Sequence, residues 1–317
     1  MSTADKVSCL REAFEGGRQD VASSKDFSYS GGHLHQGAAA LPLTTSMGRN
    51  MFDGYIICGT PRTGSTLLCK LLESARTAGT PHSFYRRQDV SEWAEEWKLP
   101  DRDTMSELEF NAAYLNAAIA AGKGGTGIFG LRLMRENLDE LSAILDQIFP
   151  QLPSDRARLE KAFGRILCIH LSREDKLAQA VSVIKAEQTG LWHIAPDGTE
   201  IERVAPPKEP QYDFERIRRE VTELETYDAA WNIWFAEQGI SPLRVGYERL
   251  AANPAATLLG ICEALGVRAP DAEDVSPGVA KLSDDTSLDW MRRYRLDAAV
   301  RRIGRMRAMP SSPPPSR

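Results

Sequence analysis

The stretch Tyr55-Ile56-Ile57-Cys58-Gly59-Thr60-Pro61-Arg62-Thr63-Gly64-Ser65-Thr66-Leu67-Leu68 decides the fold. Tyr55 to Cys58 form a short apolar run suited to a buried parallel strand. Leu67, Leu68, Leu71 and Leu72 are spaced for one face of a helix. Between the two runs, Gly59 and Gly64 let the chain turn tightly and bring its amides close to a ligand. Free N–H groups and the positive dipole end at the helix start favour an anion there. Ser65 and Thr66 are expected to cap the helix and to donate hydroxyl bonds to phosphate oxygens. An ordinary Gly-Ser turn opening a helix is the plainer alternative.

A nucleotide triphosphatase would carry lysine directly after Gly64, reaching the β- and γ-phosphates. Ser65 stands at that position, and the cation within 59–66 is Arg62. Arginine is always charged and holds an anion with two donors at once. The loop therefore reads as a cradle for a phosphate other than the γ-phosphate of ATP. A P-loop-type kinase stays as one alternative and a non-catalytic nucleotide-binding module as another.

Outward from this stretch, further strands read at 127–132, 165–171 and 242–247. Helices read at 90–97, 105–121, 137–149, 155–163, 173–192, 213–238, 254–265 and 288–302. Residues 195–211 hold four prolines and read as a loop. The alternation predicts an α/β fold, a P-loop-like parallel sheet flanked by helices on both faces. Ligands in such sheets bind at the carboxyl ends of the strands. The 59–66 loop and the corner at Leu171-Ser172-Arg173 then share one rim. Residues 1–50 read as a flexible N-terminal extension with one short helix near 6–14. Residues 51–307 form the folded domain, and 308–317 a disordered Ser/Pro-rich tail.

The chain has 317 residues, 42% of them hydrophobic, enough for a full core. Its net charge of −5 argues against a nucleic-acid scaffold, so no nucleic-acid partner is expected. Five cysteines form no CxxC pair, which fits buried thiols in a reducing compartment. The five histidines show no metal-ligand spacing with cysteine, and no metal is expected. No run approaches the roughly 18 apolar residues of a membrane helix. The expected location is cytoplasmic.

Two further basic features stand out. Arg173 follows the strand ending near Leu171, and Ser182 comes nine residues later. Nine residues are about two and a half helical turns, so the two converge on one ligand only if Arg173 lies in the loop. By spacing alone they read as a surface arginine and a buried serine. The second feature is Trp290-Met291-Arg292-Arg293-Tyr294-Arg295, followed by Arg301, Arg302, Arg305 and Arg307. It is either a solvated basic helix face or a segment in which Arg293 or Arg295 folds back over a phosphorylated nucleotide.

The combined pattern resembles the PAPS-dependent sulfotransferases, and among them the bacterial trehalose 2-sulfotransferase family. The pieces that carry the resemblance are Pro61-Arg62-Thr63-Gly64-Ser65-Thr66-Leu67-Leu68, Ala78-Gly79-Thr80-Pro81 with Phe84, and Arg173 with Gln179-Ala180-Val181-Ser182. Ala186 to Trp192, Trp231, Trp234-Phe235, Tyr247-Glu248 and Arg293-Tyr294-Arg295 follow in the right order. Coverage runs from about 54 to 300. The resemblance implies PAPS as donor and PAP as product. It implies that Arg62, Thr63, Gly64, Ser65 and Thr66 hold the 5′-phosphosulfate, and that Arg173 and Ser182 hold the 3′-phosphate. It also implies a carbohydrate or glycolipid acceptor and a homodimer, for which the Trp-rich stretch 227–235 is a candidate surface.

The chain departs from the family at Ser83, where the trehalose enzyme has a glutamate proposed as general base. Serine does not take a proton at neutral pH without a partner. The neighbouring His82 has a reference pKa of about 6.5 and is the expected base; a loop histidine touching acceptor or solvent is the alternative. The acceptor wall is expected in the 80–97 connection, with Ser83, Phe84, Tyr85 and Trp93, and in the 193–212 loop. The same aromatics fit core or dimer packing.

Overall fold

A computed structural model describes residues 51–276 and 278–308. The expected N-terminal extension, its short helix and residues 309–317 of the expected tail lie outside the described residues. A parallel sheet organises the domain. Its strands are β1 (Gly54–Gly59), β2 (Phe129–Met134), β3 (Ile166–Ser172) and β6 (Leu243–Gly246). They lie in the order β2-β1-β3-β6, every pair parallel. The chain leaves β1 towards one side and returns to the other, so the strand order reverses between β1 and β3. In such sheets that reversal opens a crevice at the carboxyl ends.

Alternate residues of β1 point to opposite faces, and both faces are covered. Ile56 and Cys58 join the core built with α3 (Glu107–Lys123), α4 (Arg135–Ile148), α5 (Asp155–Phe163) and α7 (Phe214–Glu237). Tyr55 and Ile57 join the core built with α1 (Ser65–Ser74) and α9 (Pro254–Leu265). This explains why β1 reads as a continuous apolar run: neither face meets water. Fully burying each large side chain contributes about 1.5–3 kcal/mol.

Four helices close the rest. A short helix α2 (Val90–Glu96) follows the 80–89 connection, α6 (Lys176–Thr189) packs on α7, and α8 (Tyr247–Ala252) follows β6. The last helix, α10 (Asp285–Ala308), packs on α6 and α7 and runs further than expected at both ends. A two-stranded antiparallel hairpin, β4 (Leu191–Ile194) and β5 (Glu200–Arg203), replaces the expected helix end and the start of the proline-rich loop. Gly190 sits at φ 71, where a left-handed turn ends α6 and lets β4 begin.

Trp231 and Trp234 do not form a docking face. Trp231 is fully buried and its indole N–H donates to the Gly59 carbonyl at 2.9 Å. Trp234 donates to Asp155 Oδ2 at 2.9 Å. Trp231, Trp234 and Phe235 of that stretch belong to the core, while Ile233 stays exposed, and Trp231 pins the start of the 59–66 loop.

Candidate active site

The loop after β1 is shaped by its own residues and by α6. Gly64 is the N-cap of α1 at φ 82, and no side chain caps the helix. This corrects the expectation that Ser65 and Thr66 cap it: both already lie inside the helix. A Cβ at position 64 would come within 2.7 Å of Tyr247 Cδ2, so the close approach requires glycine. The Thr63 hydroxyl turns inward and donates to the Thr60 carbonyl at 2.8 Å. Gln179, fully buried, donates from Nε2 to Thr60 Oγ1 at 2.9 Å and to the Pro61 carbonyl at 2.6 Å.

Arg62 takes the left-handed conformation, φ 62, which costs a non-glycine residue of order 1–3 kcal/mol. Its side chain holds it there. Nε donates to Ser182 Oγ at 2.9 Å, and Nη1 to the Trp192 carbonyl at 2.6 Å. Arg173 Nη1 donates to the Arg62 carbonyl at 3.3 Å. Its guanidinium lies 4.4 Å over the Tyr247 ring. Arg173 thus lies in the loop before α6, and Ser182 on that helix meets it through Arg62.

Positive charge is concentrated here. Burial and then the neighbouring Arg173 pull the Arg62 guanidinium down to about 10. Arg173 Nε is buried with no hydrogen-bond partner. An unsatisfied buried donor costs about 1–3 kcal/mol, more when charged. An anion in the crevice relieves both conditions, so these residues fit a phosphorylated ligand.

A third arginine completes the rim. Arg132, near the carboxyl end of β2, donates from Nε to Ser83 Oγ at 2.6 Å and from Nη1 to Thr66 Oγ1 at 2.9 Å. Thr66 Oγ1 also lies 3.0 Å from His193 Nε2. Burial, then Arg62, then Arg132 push the His193 imidazole down to about 3. These groups line one cavity of about 930 Å³ between the carboxyl edge of the sheet, α6, α7 and the β4–β5 hairpin.

The family profile of Stf0 sulphotransferases matches residues 54–297, most of the chain and all four strands of the sheet. This chain belongs to the Stf0 sulphotransferase family. Trehalose 2-sulfotransferase of Mycobacterium tuberculosis is 28% identical over 267 residues, 77% of this chain and 95% of that protein. Trehalose 2-sulfotransferase of Mycolicibacterium smegmatis is 28% identical over 266 residues, with the same shares. The crystal structure of sulfotransferase STF9 from Mycobacterium avium is similar at 14% identity and a TM-score of 0.34, over 77% of this chain and 68% of that one.

The fold brings together most of the loop residues singled out in the sequence. Arg62, Gly64, Ser65, Thr66, Ser83, Arg173 and Ser182 line the cavity. Thr63 is fully buried beneath it. The remaining expectations need correction. Phe84 and Tyr85 are core residues, 2% and 3% exposed, packed with Trp97 and Tyr114. Trp93 packs partly buried against the same core and does not line the cavity. His82 does not line it either; its ring lies 4.9 Å from Trp93, edge to face. Crowding by its surroundings and then Arg132 push the His82 imidazole down to about 4, although the residue still reaches solvent.

Arg293 and Arg295 also lie away from the cavity lining. Arg293 sits 4.1 Å over the Tyr212 ring and 3.8 Å from Asp289, and Arg295 is exposed. Trp290, by contrast, is buried against Tyr212 and α6. Sequence reasoning missed Arg132, His193 and Glu202. Arg132 had a signal: it is the charged residue in the otherwise apolar strand Phe129–Met134, near its carboxyl end. His193 and Glu202 fall within the 193–212 segment expected at the acceptor wall and line the cavity, but nothing singled them out, because the hairpin that presents them was read as helix end and loop.

Proposed function

We propose that this protein moves a sulfuryl group from PAPS to a hydroxyl of a carbohydrate or glycolipid acceptor by in-line displacement. The observation that carries the reading is the Arg62–Arg173 pair, half-buried and facing one crevice beside an uncapped helix start, with Arg173 Nε unpartnered. Such a crevice takes a ligand with more than one anionic group. Family membership supplies the chemistry, and the trehalose 2-sulfotransferases supply the acceptor class.

The amides at 64–66, the hydroxyls of Ser65 and Thr66, and Arg62 would hold the 5′-phosphosulfate. Arg173 and Ser182 would hold the 3′-phosphate. The acceptor oxygen forms a bond to sulfur while the bond from sulfur to the 5′-phosphate breaks. Its electron pair leaves with PAP, and the acceptor proton passes to a base. Arg62 offsets the charge that builds on the bridging oxygen. Alignment and charge stabilisation carry the rate, and the scheme assigns no role to a metal. Ser83 and the hairpin face the same cavity and form the acceptor side. A cytoplasmic homodimer belongs to the same reading, resting on the family resemblance and not on the buried tryptophans of α7.

The test is incubation with sulfur-labelled PAPS and an extract of glycans and glycolipids, followed by mass analysis. Label is expected in sulfate esters of sugar hydroxyls. Binding of PAP with no transfer would leave a nucleotide-binding module. Magnesium-dependent ATP turnover would favour a kinase.

A further inference from the structure

We propose that Glu202 takes the proton of the acceptor hydroxyl and that His193 is its positioning residue. This rests on the sulfuryl-transfer reading above. The difficulty it answers is position 83, a serine whose hydroxyl is bound by Arg132 and cannot act as a base.

A continuous chain of polar contacts leads from that serine to a carboxylate. Ser83 Oγ accepts from Arg132 Nε at 2.6 Å, and Arg132 Nη1 donates to Thr66 Oγ1 at 2.9 Å. Thr66 Oγ1 lies 3.0 Å from His193 Nε2, and His193 Nε2 lies 3.5 Å from Glu202 Oε2. On its other side, Glu202 Oε1 faces Arg86 Nη1 at 3.7 Å. All these residues line the cavity, and the Glu202 side chain keeps 35% of its surface open. The chain touches the start of α1 at Thr66, beside which the transferring group would sit.

Other acids reach the cavity but lack this placement, Glu136, Glu209 and Glu223 among them. Asp284 is bound to Lys185 and Ser287. Glu187 pairs with Arg216. Glu220, pushed up to about 7 by burial and then by Glu187 and Glu223, stands among like charges on α7. No described contact ties any of them to the 59–66 loop. His193 Nε2 stands 3.0 Å from Thr66 Oγ1 and 3.5 Å from Glu202 Oε2, so the ring lies between the loop and the carboxylate. Burial, then Arg62, then Arg132 lower the imidazole's proton affinity to about 3, which makes it the weaker candidate for the base.

In the step, the acceptor O–H proton goes to the Glu202 carboxylate as the new O–S bond forms. The electrons of the broken S–O bond leave with PAP, and Glu202 returns the proton to solvent through the cavity.

The experiment compares wild type, Glu202→Gln and His193→Gln by label transfer from PAPS to trehalose and to a glycan and glycolipid extract. PAP affinity is measured by calorimetry in parallel. Glu202→Gln is expected to lose about 10²-fold or more in transfer, the scale of general base catalysis. Its PAP affinity should stay within threefold. His193→Gln should lower kcat by about 10-fold or more with KM for PAPS nearly unchanged, a split that a merely structural role would not give. Transfer by Glu202→Gln within threefold of wild type overturns the inference, as does an equal loss of PAP affinity and transfer. An unmoved kcat in His193→Gln, or an equal loss of kcat and PAP affinity, overturns the positioning role. A wild-type protein that moves no label into either acceptor overturns the sulfuryl-transfer reading instead.

Discussion

Arg62 with Arg173 and Arg293 with Arg295 look alike as charge in the sequence, and the fold treats them in opposite ways. The first two stand on loops after neighbouring strands, where the sheet order reverses. There they are half-buried, crowd each other, and keep a donor unpartnered. The second two lie on the outer part of α10. Arg293 is 53% exposed and already occupied by Tyr212 and Asp289. Density of cations therefore does not mark an anion site. The proposed anion site rests instead on placement at the carboxyl edge of a parallel sheet, with desolvation and an unmet donor.

The comparison breaks most sharply at Arg62. Arg62→Ala is expected to lower sulfuryl transfer by about 10²-fold or more, the scale for removing one transition-state donor. Near-normal turnover would end its role. Arg173→Ala should weaken PAP binding by about 10- to 100-fold, since a hydrogen bond to a charged group contributes about 1.5–3 kcal/mol. Calorimetry reads this directly.

A titration sharpens the same contrast. His193 sits at about 3 in the folded protein, below its ordinary value of about 6.5. The unfolded chain then binds more protons between those values, so stability falls as pH drops through that range. Bound PAP offsets Arg62 and Arg132, so it should raise the His193 value and shrink the loss. Proton NMR of the imidazole with and without PAP checks this; a value unmoved by PAP would place the anion elsewhere. The smallest effect is expected at Arg293. Arg293→Ala should leave PAP affinity within twofold and cost about 0.5–1 kcal/mol in denaturant unfolding, the worth of an exposed cation–π contact. A tenfold loss of PAP affinity would return α10 to the site.

Much of the fold was legible because its strands are buried on both faces. Tyr55–Cys58 and Ile166–Leu171 read as strands from their apolar runs alone. The 59–66 loop was legible because glycine, a cation and helix-spaced leucines fall in sequence within a few residues. The proposed acceptor side was legible only as the segment 193–212, not as particular residues. Phe84 and Tyr85 have the composition of a sugar platform, but Trp97 and Tyr114 fold over them and make them core. Tyr114 even donates its hydroxyl to the Phe84 carbonyl at 2.5 Å, holding that segment inward. Arg132, His193 and Glu202 come from a strand and a hairpin far apart in the chain. Their proximity is set by strand order and by the turn at Gly190, which no local pattern encodes. Gln179 was quoted only as part of a motif; its work, bonding the backbone at Pro61, became visible through burial.

The central claim is that the loops after β1 and β3 jointly grip one nucleotide through separate phosphates. A crystal structure of the protein with PAP tests it most directly. The account predicts the 5′-phosphate against the amides at 64–66 and the 3′-phosphate against Arg173 and Ser182. PAP bound elsewhere, or bound with Arg173 and Ser182 turned away from both phosphates, would contradict it.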